Sequence, residues 1–129
     1  MSAATKSILI VDDSRPMRVR LKQICCDMGF KTYEANDGKE ALRILLEVTV
    51  DLVLTDWNMP NMNGRQLIDA VKRVERLQSL PFILVTAETE KASIIDSLMS
   101  GAKDYIVKPF ADATVKQKLC VALGVPLQK

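Results

Sequence analysis

Apolar residues in this chain fall into short runs separated by longer stretches of helical periodicity. Ser7–Val11 is an apolar run that stops at Asp12 and Asp13. Pro16 then suits a first helical turn, and Met17, Leu21, Ile24, Cys25 and Met28 mark one helical face before Gly29 closes it. Lys31–Ala35 alternates weakly. Asp37, with Glu40 three residues on, predicts a capped helix whose inner side carries Leu42, Leu45 and Leu46. Leu52–Thr55 is the next apolar run, ended by Asp56. Asn63 and Gln66 predict a second capped helix with Leu67, Ile68 and Val71 facing inward. Pro81–Thr86 reads as a fourth strand and Ala92–Met99 as a short helix stopped by Gly101. Tyr105–Lys108 is a fifth strand, and Asp112–Leu123 a last helix ended by Gly124.

Strands and helices thus alternate through the chain. Such alternation predicts an α/β fold with a parallel sheet, right-handed crossovers and helices on both faces. Strands one, three and four are nearly continuous apolar runs, as burial on both faces requires. Strand two is the most polar and belongs at an edge. The resulting expectation is a flavodoxin-like (βα)5 three-layer sandwich, its five-stranded sheet ordered 2-1-3-4-5.

Composition narrows the chemistry. A chain of 129 residues, 48% apolar and 26% charged, suits one compact domain. A net charge of +2 is too weak a bias to argue for nucleic acid, although residues 101–129 carry five Lys against two Asp. No apolar run approaches the roughly 20 residues of a membrane-spanning helix. The start, Met1 to Lys6, does not read as a signal peptide. Three Cys, two of them the adjacent Cys25 and Cys26, suggest no disulfide framework, and a reduced, cytoplasmic setting is expected. With no His, zinc sites are mostly excluded and His-based triads entirely.

The polar residues at the strand ends remain. Asp12 and Asp13 end strand one, Asp56 strand three, Thr86 strand four and Lys108 strand five. Ligands of open α/β sheets bind at those ends, where the strand order reverses. In the predicted order three carboxylates converge there, and such a cluster requires a proton or a cation. An oxygen-only pocket suits Mg2+, with Mn2+ as a substitute. A metal, an amine and a hydroxyl are the groups a phosphoryl transfer needs, and Asp56 is then the candidate nucleophile. Singly, each of these residues also reads as a helix cap, a turn residue or a solvated side chain.

These residues resemble the receiver domain of two-component response regulators, nearly end to end. The resemblance rests on Asp12-Asp13, Asp56, Thr86-Ala87 and Lys108-Pro109-Phe110. Asp56 through Gly64, Val85 through Glu88 and Gly101-Ala102 are similar to the family's stand-alone chemotaxis regulators. The resemblance implies that Asp56 takes a phosphoryl group from the phosphohistidine of a histidine kinase. It implies Asp12, Asp13, Asp56 and the backbone carbonyl of Asn58 as metal ligands. Thr86 and Lys108 would engage the phosphoryl oxygens, Tyr105 would rotate with Thr86, and the Lys108-Pro109 peptide would be cis. Lys91, Ser93, Ile94, Tyr105 and Lys118 are expected on a partner-binding face, with core packing as the alternative for Ile94. Expected partners are a chemotaxis-type kinase, a flagellar motor switch or other output protein, and a phosphatase, with neither nucleic acid nor membrane insertion.

Some positions depart from the family. Asn63 stands where Asp is usual, and Ala111 where a Ser or Thr cap is common, so that Asp112 is expected to cap instead. Val121 occupies the place of a second Lys on the last helix. Ending at Lys129, the chain is expected to be a single receiver domain acting through a separate protein. Met17, Met28 and Met99 are expected in the core, Trp57 partly exposed beside the site, and the cysteines without a redox role. Competing readings are a phosphate sink or relay intermediate, an aspartyl-nucleophile phosphatase and a flavodoxin. The phosphatase would need an acid where Asn58 stands, and the two carboxylates after strand one would repel a flavin phosphate.

Overall fold

The computed structural model describes residues 5–87 and 91–127. Glu88, and the opening residues read against a signal peptide as far as Ala4, lie outside the described residues. Five strands alternate with five helices: β1 Ser7–Val11, α1 Arg15–Asp27, β2 Lys31–Ala35, α2 Gly38–Glu47, β3 Leu52–Thr55, α3 Gly64–Lys72, β4 Phe82–Ala87, α4 Lys91–Ser100, β5 Asp104–Lys108 and α5 Asp112–Leu123. A short 3-10 turn, Glu75–Leu77, follows α3. All strand pairs are parallel, in the order β2-β1-β3-β4-β5. This is the flavodoxin-like topology that the alternating pattern predicts.

Side-chain alternation divides the core into two layers. Leu9 and Val11 of β1 join Ala41 and Leu45 of α2 and Leu67, Ile68 and Val71 of α3. Ile8 and Ile10 face the opposite way, toward Leu21, Ile24 and Cys25 of α1 and Val115 and Leu119 of α5. The central strands β1 and β3 are buried on both faces, whereas edge strand β2 is partly exposed.

The predicted caps form at α2 and α3. Asp37 accepts the Glu40 amide at 2.9 Å, and Asn63 and Gln66 make a reciprocal capping box. At α5 the expectation fails. Ala111 occupies the cap position without a side-chain bond, and Asp112 is instead the first helical residue, paired with Arg20 at 3.2 Å. A carboxylate in the first turn still meets the positive end of the helix dipole. Gly124 ends α5 with φ 68°, a left-handed conformation that glycine adopts readily.

Two expected core residues are outside. Met99 is 83% exposed and Leu46 is also exposed. Helix α4 buries little, Ser97 being its only fully buried residue among those described, so its outer apolar positions Ile95, Leu98 and Met99 stay in solvent. Met17 and Met28 are partly buried against the α1 and α5 layer, as expected. Strand four is shifted by one residue at both ends, to Phe82–Ala87, and strand five starts one residue earlier than expected. Asp104 joins β5 opposite Ile83, its side chain accepting the Tyr105 amide at 2.8 Å.

Candidate functional site

Sheet register builds the acidic cluster. Val11 lies opposite Thr55, and the Asp56 amide donates to the Val11 carbonyl at 2.9 Å. The residues that follow, Asp12 and Asp56, therefore leave the sheet side by side. Carboxylate oxygens of Asp12, Asp13 and Asp56 all lie within 4.8 Å of one another. Asp12 is buried, with 1% of its surface exposed, Asp56 is half-buried and Asp13 exposed. The cluster thus has a closed floor and an open side.

Two of the three carboxylates, Asp12 and Asp56, are held. Asp12 Oδ1 accepts the Ser14 amide at 2.8 Å, and Oδ2 meets Lys108 Nζ at 3.2 Å. Asp56 Oδ1 accepts the Trp57 amide at 2.7 Å, while Oδ2 faces Lys108 Nζ at 3.9 Å. Lys108 reaches this point from β5, beyond two intervening strands, and its peptide bond to Pro109 is cis. Burial raises the Asp56 carboxyl to about 6; Lys108 opposes that rise and Asp12 adds to it.

Thr86 is the penultimate residue of β4, one before the rung that pairs Ala87 with Lys108, and it is buried. Asn58 is exposed on the loop after Asp56. Trp57 departs from expectation: it is 5% exposed, packed among α2 and α3 core residues rather than standing open beside the site. Its ring lies over Gly64, where a Cβ would sit 2.5 Å from Cε3. A lone Trp after a strand-end Asp reads equally well as rim or core, and only this glycine contact distinguishes them.

The expected partner face divides into two groups. On the β5–α5 side, Lys118 Nζ lies 2.9 Å from Asp104 and 4.9 Å from the Tyr105 ring centre. Tyr105 and Ile94 are half-buried and pack against the α2 and α3 core layer. Lys91 is exposed and Ser93 half-buried at the start of α4.

Residues that sequence reasoning did not select also support the site. Arg18 donates to the Asp12 carbonyl at 2.6 Å and to Glu34 at 3.3 Å. Asp37 bonds Asn61 at 2.7 Å. In the sequence the second contact is hinted at by Gly38, where a Cβ would meet the Met62 carbonyl.

Three carboxylates with neither His nor Cys suit a hard divalent cation, and the open side leaves room for water or a phosphate oxygen. Among the described residues no helix is long and apolar enough to cross a membrane.

Comparison with known proteins agrees with this geometry. The family profile "Response regulator receiver domain" matches residues 8–120. The chain is 46% identical over 113 residues to the chemotaxis protein CheY-3 of Vibrio cholerae, covering 87% of each chain. It superposes on the chemotaxis response regulator CheY4 of Vibrio cholerae with a TM-score of 0.86 at 30% identity, covering 93% of this chain and all of that one. The receiver domain of the Pseudomonas aeruginosa sensor histidine kinase PA1611, whose structure has a magnesium ion in its active site cleft, gives 0.86 at 25% identity. That match covers 94% of this chain and 99% of the other. With its parallel βα units, clustered strand-end carboxylates and lysine, this chain belongs to the response regulator receiver domain family.

Proposed function

We propose that this chain is a response regulator of the chemotaxis type. It takes a phosphoryl group from a histidine kinase phosphohistidine onto Asp56 and so alters its binding to an output protein. The observation that carries the reading is the convergence of Asp12, Asp13 and Asp56 with Lys108 at the carboxyl end of the sheet. Asp12, Asp13, Asp56 and the Asn58 carbonyl would hold Mg2+, which supplies charge neutralisation for carboxylate and phosphoryl oxygens.

The protein's own groups divide the remaining work. Asp56 Oδ1 is engaged by the Trp57 amide, so Oδ2 is the attacking atom. Its bond to phosphorus forms as the phosphorus–nitrogen bond to the donor imidazole breaks, leaving an acyl phosphate on the aspartate. Lys108 is within reach of the new oxygens, and the Thr86 hydroxyl can turn toward them. Movement of Thr86 would open space for Tyr105, and the face formed by α4, β5 and α5 would change, with Lys91, Ser93, Ile94, Tyr105 and Lys118 reading out the event. Such a cytoplasmic protein is a signalling device and not an enzyme acting on a separate substrate. Asn58 cannot serve as the general acid that rapid turnover of phosphate esters requires.

A sink or relay role is the second reading. It is favoured by Val121, 71% exposed, where chemotaxis-type regulators carry a Lys. Return of phosphate to a His phosphotransfer protein in the absence of other partners would identify a relay.

Intact-protein mass spectrometry after acetyl phosphate and Mg2+ tests the main reading. One phosphoryl adduct is expected, lost in Asp56→Asn and without metal. An undiminished adduct in Asp56→Asn would overturn it.

A further inference from the structure

The loop from Asp56 to Asn63 carries the acceptor carboxylate and Asn58, and it is pinned at both ends. At its start the Trp57 amide holds Asp56 Oδ1 at 2.7 Å, and the Trp57 carbonyl accepts the Gly64 amide at 2.8 Å. Its far end is gripped by an element outside the acidic cluster, the N-terminus of α2. Asn61 donates from Nδ2 to Asp37 Oδ2 at 2.7 Å, and the Gly38 amide donates to the Met62 carbonyl at 3.0 Å. The approach leaves no room for a side chain, since a Cβ on Gly38 would lie 2.6 Å from that carbonyl oxygen.

Asp37 thus uses its two oxygens for different tasks. Oδ1 caps α2 through the Glu40 amide, and Oδ2 holds the loop. Asn61 has φ 66°, a left-handed turn conformation that Asn adopts more readily than most residues other than glycine, and its side chain is anchored in that turn by Asp37. The same bonds, to Glu40 and then to Asn61, keep the Asp37 carboxyl below its usual range. Carboxylates and amides that orient a metal's ligands from behind are a general means of setting metal affinity.

We propose that Asp37 and Asn61 form a clamp that sets the direction of the Asp56 carboxylate, making both of them positioning residues for cation binding at the acidic cluster. The inference rests on the functional reading above, in which that cluster binds Mg2+.

Reversing the polarity of the clamp tests it. Asn61→Asp sets two carboxylates against each other but leaves the α2 cap intact. Adding Asp37→Asn lets the new amide at position 37 donate to the new carboxylate at position 61, and it restores the local charge. Mg2+ affinity of the full chain is measured by calorimetry, and amide exchange across residues 57–62 is followed in metal-free protein. Asn61→Asp should weaken Mg2+ binding by about tenfold and speed exchange in the loop, and the double variant should recover both. A purely electrostatic influence would act in the opposite direction, because an added negative charge attracts the cation. Unchanged or tighter binding in Asn61→Asp would overturn the clamp. So would failure of the double variant to recover while its thermal melt matches wild type. Absence of Mg2+ binding by the wild-type protein would sink the functional reading and the metal arm with it, leaving the exchange arm to judge the clamp alone.

Discussion

Lys108 Nζ sits 3.2 Å from Asp12 Oδ2, joining residues 96 positions apart across the carboxyl edge of the sheet. The ammonium occupies the same acidic cluster that a divalent cation would enter, so it has two opposed effects. Under the proposed function it would assist phosphoryl transfer and compete with the metal. Lys108→Ala should cut the rate of adduct formation from acetyl phosphate by about a hundredfold. It should leave Mg2+ affinity equal to wild type or tighter. Calorimetry combined with timed mass spectrometry separates the two effects, and a parallel loss of both would contradict the competition.

Burial raises the Asp56 carboxyl to about 6, above its ordinary value of 3.8. A group whose folded pKa is raised favours the protonated native state. Its stabilising share is therefore full at low pH and is lost as pH rises from about 4 through about 6. Asp56→Asn removes the ionisation. In metal-free buffer at pH 7.5 the variant should be the more stable by on the order of 2 kcal/mol. The gap should close as pH falls toward 4, as urea titrations at several pH values would reveal. Mg2+ should then stabilise the wild type but not the variant.

Gly64 opens α3 directly beneath Trp57. A Cβ there would stand 2.5 Å from the indole Cε3 and 3.0 Å from the Asp56 carbonyl oxygen. Ala is the better helix former, yet overpacking should dominate, and Gly64→Ala should lose about 2 kcal/mol in chemical unfolding. Because the Trp57 amide holds Asp56, phosphoryl acceptance should fall in whatever fraction remains folded.

The adjacent thiols Cys25 and Cys26 face different environments. Cys25 is buried in the α1 layer, and burial pushes its thiol to about 12, whereas Cys26 is exposed. Burial also raises the Cys120 thiol. Alkylation of the native protein at pH 8 should label Cys26 first and Cys25 last. Peptide mapping at short times checks the order, and unfolding in urea should level the rates of all three.

Periodicity, caps and strand-end polar residues already carried the sheet order and the residues that meet at its carboxyl edge. A parallel sheet with two covered faces leaves few arrangements for alternating apolar runs, and Asp12, Asp56 and Lys108 were each the first or last polar residue of such a run. Local pattern could not report how much neighbouring structure each helix face meets. Met99 and Leu46 lie on apolar stripes wider than the surface available to cover them, so they remain in solvent. Trp57 goes inward because Gly64, seven residues away, leaves a slot for its ring. The Asp37–Asn61 bond joins the loops that follow β2 and β3, and its 2.7 Å separation exists only once β1 pairs with both strands. The chain sequence by itself determined which residues could enter the site, because secondary-structure periods and turn chemistry are local. Tertiary structure alone decided their distances, their burial and the bonds behind them, because those depend on contacts between segments far apart in the chain.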